Sequence, residues 1–262
     1  MRVVALTCSN TEIVCALGQA HQLVGVDDHS DYPSGVVARL PRVGPDLGID
    51  VARVAALRPD LVLASLTVPG HERVLERLLR AGLPVIATEP RSLSDVYADV
   101  RCIGGHLGVR GRAEALISSL RAELEAPCAA SGLKLLIEWW PKPVIAPGRD
   151  SWATELVRLA GAENPLADRP VKSTPISDEE AAALAPDVSV IAWCGVRLEK
   201  YRPDVVLRRP AWQALELVKR RRVYAVSEAW LGRPGPRLVD GVRALRAIVA
   251  EVGAASGPAL SR

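Results

Sequence analysis

The 262-residue chain has no phenylalanine and one methionine. Aromatic residues make up 4% of it, and all six tryptophans lie beyond residue 138: Trp139, Trp140, Trp152, Trp193, Trp212 and Trp230. The first half must therefore build its core from Val, Leu, Ile and Ala, while broad amphipathic surfaces belong to the second half. Cysteine is also sparse. Cys8, Cys15, Cys102, Cys128 and Cys194 are odd in number and form no C-x-x-C, which excludes a disulfide framework and a structural zinc site and favours free thiols. No apolar run approaches the roughly 18–20 residues of a membrane helix. The chain passes from Met1 into the apolar Val3-Val4-Ala5-Leu6 with no export leader. It therefore reads as cytoplasmic, or as a chain that starts after a removed leader.

An excess of charge of one sign is also lacking. The net charge is +3, and the only basic block is "KRRR", Lys219 to Arg222, read as a solvated loop, so nucleic acid is not expected as a partner. Enzyme signatures are missing: there is no G-x-S-x-G, H-E-x-x-H, Walker A or G-x-G-x-x-G. His21, His29, His71 and His106 lack metal-ligand spacing, and Cys8 has no neighbouring base. No catalytic residue, metal ligand or cofactor follows, and the chain is not read as an enzyme.

What is present is a chain 49% hydrophobic in which short apolar runs alternate with helical patterns. Strands are expected at Val3–Leu6, Leu23–Val26, Leu61–Ala64 and Val85–Thr88, and helices at Thr11–Leu17, Asp50–Leu57 and Glu72–Arg80. Ser9-Asn10-Thr11-Glu12 reads as an S-x-x-E capping box opening the first of these helices. The alternation implies a parallel sheet covered on both faces. The second half repeats the theme, with a strand at Leu135–Trp139 and a helix at Ala153–Leu159. "ALRPDLVLAS" (Ala56–Ser65) matches "ALAPDVSVIA" (Ala183–Ala192) at Ala, Leu, Pro and Asp. In each, proline stops a helix before a buried strand.

Between the halves, Val96, Val100, Ile103, Leu107, Ala113, Leu116, Ile117, Leu120 and Leu124 recur at helical spacing. They predict one long connecting helix, or two in tandem, weakened by Gly104, Gly105, Gly108 and Gly111. The expected fold is α/β: two Rossmann-like lobes with parallel sheets, joined by a long α-helix. The lobes would be residues 1–91 and 131–262, with a helical connector over 92–130. Ligands of such sheets bind beyond the carboxyl ends of the strands. Two such edges facing each other would form an inter-lobe cleft lined by Tyr32, Trp139, Trp140, Trp193, Glu228, Trp230 and Arg233. Such a cleft is aromatic, poor in charge and suited to a large flat ligand.

The segments "RVVALTCSNTEIVCALG", "LVGVDDHSDYP", "LPRVG", "ALRPDLVLAS" and "GLPVIAT" resemble, in order, the cobalamin and iron-siderophore binding proteins of ABC importers, whose lobes are joined by a helical backbone. "EWWPKPVIAPGRDSWATELVRLAGAENPL" and "AWLGRPGPRLVDGVRAL" resemble the cobalamin branch. The resemblance implies a monomeric, periplasmic receptor that binds a corrinoid and presents it to a permease. It implies corrin contacts for Tyr32, Glu228 and Arg233, and aromatic contacts for Trp139, Trp140, Trp152 and Trp193. It also implies permease docking for Glu72, with Glu199 as the second-lobe counterpart. Three features depart from the family pattern. The export signal and lipoprotein cysteine are absent, Ser65-Leu66 stands where a Trp is frequent, and Glu228 replaces a frequent Asp. Two alternatives follow. Arg91, Arg197 and Arg233 would suit haem or a ferric siderophore, and the missing leader would suit a cytoplasmic corrinoid-handling protein or enzyme.

Overall fold

The computed structural model describes residues 1–254. The chain divides into two compact units, with the boundary after Leu120.

Unit 1 comprises β1 (Val3–Ala5), α1 (Cys8–Ala16), β2 (Leu23–Val26), α2 (Ser34–Val37), α3 (Val51–Ala56), β3 (Leu61–Ser65), α4 (His71–Arg80), β4 (Val85–Thr88) and α5 (Leu93–His106). Its four strands are all parallel, in the order β2-β1-β3-β4. Every residue of β1 and β3 is buried, as expected of central parallel strands covered on both faces. On α4, Val74 and Leu78 join Val4, Leu6, Val62 and Ala64 in an aliphatic core.

The opening turn differs from the capping-box expectation. Helix α1 begins at Cys8, not Thr11, and its cap position is Thr7, whose side chain makes no capping bond. Thr7 is still extended (φ −145°, ψ 151°), so the chain turns directly from strand into helix and Ser9 lies inside the first turn. Asn10 and Thr11 are committed elsewhere. Asn10 Nδ2 donates to Ala64 O at 3.0 Å, and Thr11 Oγ1 shares a hydrogen bond with Ser30 Oγ at 2.8 Å. A full capping box occurs instead at Ser92 and Asp95, opening α5. The helical segment between the halves is two helices in tandem. Gly108, at φ +73°, separates α5 from α6 (Arg110–Leu124), a left-handed position that favours glycine.

Unit 2 comprises β5 (Leu135–Glu138), β6 (Trp140–Pro141), β7 (Val144–Pro147), α7 (Trp152–Leu159), β8 (Ser173–Ile176), α8 (Asp178–Ala183), β9 (Val188–Ile191), α9 (Pro203–Leu207), α10 (Glu216–Lys219), β10 (Val223–Ala225), α11 (Glu228–Leu231) and α12 (Leu238–Ala254). A parallel sheet runs β10-β9-β5. A second, antiparallel sheet runs β6-β7-β8 and has no counterpart in the sequence expectation. Its strands hold Pro141, Pro147 and Pro175, which read as loop punctuation. Pro141 and Pro175 are tolerated because β6 and β8 are edge strands that need not donate every backbone N–H.

Candidate ligand-binding site

Each unit ends its parallel strands in a set of loops, and these loops hold most of the candidate residues.

In unit 1, the loop after β2 is fixed by a chain of small polar groups. Ser30 Oγ donates to Asp27 Oδ1 at 2.5 Å, and His29 N donates to Asp27 Oδ2 at 2.9 Å. Arg42 Nη1 donates to the carbonyls of Asp27 and Ser30 at 2.8 and 2.6 Å. Burial pushes the Asp27 carboxyl above the usual range, while its Ser30 and His29 bonds pull it back. The network is satisfied and nearly dry, so it stiffens the loop. Tyr32 emerges from this loop 47% exposed, immediately before α2. It is the one ligand candidate that unit 1 contributes.

In unit 2, a buried ion pair anchors the tryptophan strap. Glu138 closes β5, and its two oxygens accept from Arg209 Nη1 and Nη2 at 2.8 and 2.9 Å. Ser189 Oγ donates to Glu138 at 3.0 Å, and Arg209 also donates to Pro141 O at 3.1 Å. The two side chains are 0% and 3% exposed. The Arg209 guanidinium lies 4.7 Å from the centre of the Trp212 ring, a cation–π contact. Trp139 and Trp140 follow directly from Glu138. Trp139 is buried, its backbone N–H donating to Ile145 O at 2.7 Å. Trp140 projects outward, 42% exposed.

Trp193, Glu228 and Arg233 are drawn together through a residue that the sequence reading omits. The Tyr201 ring packs 5.5 Å from that of Trp193, and its hydroxyl donates to Trp193 O at 2.9 Å. The same hydroxyl accepts from Glu228 N at 3.3 Å. Burial, reinforced by the Glu228 carboxylate, raises the Tyr201 phenol above its ordinary range, so it stays neutral. Arg233 Nε donates to Glu228 Oε2 at 3.3 Å, with both side chains mostly covered. Trp193 is 6% exposed, and its Nε1 is buried without a hydrogen-bond partner.

Trp152 is placed differently. It opens α7, is 9% exposed, and donates through Nε1 to Leu231 O at 2.8 Å, which ties α7 to the last turn of α11. Trp230, half-buried on α11, is held by backbone contact: a Cβ added at Gly241 of α12 would lie 2.2 Å from Trp230 O. A groove of about 590 Å³, lined by Lys134, Glu155, Arg158, Glu163 and Asp168, lies at the opposite, amino end of β5. It has mixed charge and no aromatic wall, and it contains none of the candidate residues.

Of the docking candidates, Glu72 is exposed in the first turn of α4, its Oε2 accepting from Gly70 N at 2.9 Å. Beneath it the buried His71 meets Asp46 at 3.0 Å. Glu199 is exposed on a short 3-10 turn, Leu198–Lys200. Tyr201 and Arg209 are absent from the sequence-based site. Glu138 carried a signal, as a lone acid closing the apolar run "LLIE". Arg209, 71 residues away, carried none.

Comparison with known proteins gives a consistent answer. Residues 3–229 match the model of a family described as periplasmic binding protein. An uncharacterized ABC transporter substrate-binding lipoprotein of Bacillus subtilis is 31% identical over 254 residues, covering 93% of this chain and 78% of that protein. A vitamin B12-binding protein of Pectobacterium carotovorum is 29% identical over 246 residues, covering 91% and 84%. The crystal structure of a periplasmic heme-binding protein from Pseudomonas aeruginosa superposes with a TM-score of 0.79 at 30% identity, covering 99% of this chain and 95% of that one. Among the described residues no helix is long and apolar enough to cross a membrane. The chain belongs to the periplasmic binding protein family, as a substrate-binding protein of ABC importers and not an enzyme.

Proposed function

We propose that the protein captures a corrinoid outside the cytoplasm and delivers it to an ABC permease. Each unit offers one sheet edge to the ligand: Tyr32 from unit 1, and Trp139, Trp140, Trp193 and Trp230 with Glu228 and Arg233 from unit 2. Trp152 supports this wall from behind, through its bond to α11. Glu72 and Glu199 supply carboxylates for docking to basic residues of the permease.

One observation carries the choice of ligand. Arg91 and Arg233 are each held by a glutamate, at 2.8 Å to Glu89 and 3.3 Å to Glu228. Two of the three arginines that would suit an anionic ligand are thus already neutralised, and Arg197 lies exposed in the basic segment beyond Trp193. A neutral, amide-bearing corrinoid matches such a surface better than a dianionic haem or an anionic ferric chelate, which would call for unpaired cations. The B12-binding relatives support the same reading.

The test is titration with cyanocobalamin, haem and a ferric hydroxamate chelate, followed by tryptophan quenching and calorimetry. Cyanocobalamin is expected to bind most tightly, with Tyr32→Ala and Trp140→Ala each weakening it about tenfold, as expected for aromatic hot spots. No cyanocobalamin binding at about 100 μM, or a preference for haem or the chelate, overturns the corrinoid reading. Fractionation of the native host, with the protein found in the cytoplasm, overturns the proposed location.

A further inference from the structure

The "KRRR" block plays no part in the ligand site, yet it belongs to a larger feature. Residues 197–222 carry nine Lys and Arg against Glu199, Asp204 and Glu216, a net of +6 in a chain whose total is +3. The rest of the protein is therefore net negative, and this segment is its basic pole.

Ion pairs to Asp204 draw the two ends of the segment toward each other on unit 2. Arg221 lies 3.5 Å and Arg208 4.0 Å from Asp204, which brings the start of β10 against α9. Lys219 and Arg220 flank Glu216 on α10 at 2.9 and 3.3 Å. Arg197, Lys200 and Arg202 are exposed around the 3-10 turn. Of the nine cations only Arg209 and Arg222 are buried, so seven face outward against three carboxylates. Strand β10 is the edge of its sheet, and α9 packs against it.

An apolar side chain stands within this face. Leu198 is 42% exposed, and its turn is not loose. Arg202 Nη1 donates to the carbonyls of Glu199 and Tyr201 at 3.0 Å, and the Tyr201 ring below is buried. The leucine is held outward among cations. A basic surface bearing one exposed apolar side chain matches the headgroup region of an anionic bilayer, where cations meet phosphates and the apolar group enters the boundary. A nucleic-acid reader would instead interleave planar side chains with its cations, and the 197–222 face presents none outward.

We propose that the 197–222 face of unit 2 docks on an anionic phospholipid surface, orienting the receptor on the membrane that holds its permease. The contact is independent of which ligand the protein carries. Each basic side chain within a Debye length of such a surface strengthens binding by about fivefold.

The test is co-sedimentation of the full chain with vesicles of phosphatidylcholine alone or mixed with phosphatidylglycerol. Binding is expected only with phosphatidylglycerol, and it should fall steeply between low and high salt. The triple variant K219Q/R220Q/R221Q should bind about 100-fold more weakly, and Leu198→Ser severalfold more weakly. Circular dichroism confirms folding, and K200Q/R202Q on the other stretch provides a second variant that should also lose affinity. Equal binding to both vesicle types, undiminished binding by both charge variants, or binding to polyphosphate or DNA without binding to vesicles overturns the proposal.

Discussion

The two units turn the same corner into their central strands. Arg58 and Ala185, each preceding a proline, adopt φ of 46° and 47°. Two residues later Asp60 and Asp187 accept the backbone N–H of Arg2 and Lys134 at 2.6 and 2.9 Å. Each aspartate N–H donates back to that same residue's carbonyl at 2.8 Å. The units part company in what they add to this frame. Unit 1 completes an all-parallel sheet and fixes its edge with hydroxyls, one carboxylate and Arg42. Unit 2 keeps a lone parallel bridge, Lys134 to Glu163, where unit 1 has β2. It adds an antiparallel sheet and fixes its edge with a buried ion pair and tryptophans. A common frame thus supports two kinds of binding edge, and the aromatic one required a charge inside the core.

The largest break in this comparison comes from removing that charge's partner. Arg209→Ala leaves the Glu138 carboxylate buried without its bidentate donor and withdraws the bond to Pro141 O. Breaking a buried pair costs about 3–5 kcal/mol. The loss should be confined to unit 2, so amide exchange in β5 and β9 accelerates while β1 and β3 keep their protection. The deficit should grow from pH 5 to pH 8, because an orphaned carboxylate is tolerated only when protonated. Unchanged exchange in β5 would show that Trp139 and Trp140 are placed without the pair.

A smaller change sharpens the likeness between the units. At Arg58 and Ala185 an L side chain sits where glycine is favoured, at a cost of about 1–2 kcal/mol. Part of this is returned by glycine's greater freedom in the unfolded chain. Arg58→Gly and Ala185→Gly should therefore each stabilise their own unit by about 0.5–1 kcal/mol, read as slower exchange in β3 and β9 respectively. Gains in only one unit would mean that the corner is shared in shape but not in energy.

This repeat was legible in the sequence because its signals are local: a helix end, Pro, Asp, then an apolar run. The strand–helix order of unit 1 was legible for the same reason, through hydrophobic period. The antiparallel sheet was not, since its prolines imitate loops and only pairing partners 26–32 residues apart reveal that β7 and β8 join. Within the site, Tyr32 and the tryptophans stood out by residue type. Tyr201 did not, although one hydroxyl there holds both the Trp193 carbonyl and the Glu228 amide. The turn of α1 misled because S-x-x-E describes bonds that are available, while tertiary partners, Ala64 O and Ser30, had already claimed Asn10 and Thr11.

Acid titration separates Asp46 of unit 1 from Glu138 of unit 2 by sign, with the smallest effect. In unit 1, the hydrogen bond from His71 holds the Asp46 carboxyl below its ordinary value, against a smaller opposing push from burial. A carboxyl depressed on folding stabilises the protein above its unfolded value, about 3.9, and that contribution disappears as pH falls through the folded value. In unit 2, burial raises Glu138 despite Arg209 and Ser189. A raised carboxyl takes its proton first in the folded state, so acidification does not remove stability through this group. The Asp46 contact of unit 1 should therefore lose its contribution as pH falls below about 4, whereas Glu138 of unit 2, like the raised Asp27 and Asp99 of unit 1, should not. Asp46→Asn should remove part of that difference, by a few tenths of a kcal/mol, because Asp46 is about one-third exposed and its pair is screened by solvent. Exchange in β3 and β9 followed from pH 5 to pH 3 measures the contrast, and simultaneous loosening of both strands would show that the acid response lies outside these two carboxylates.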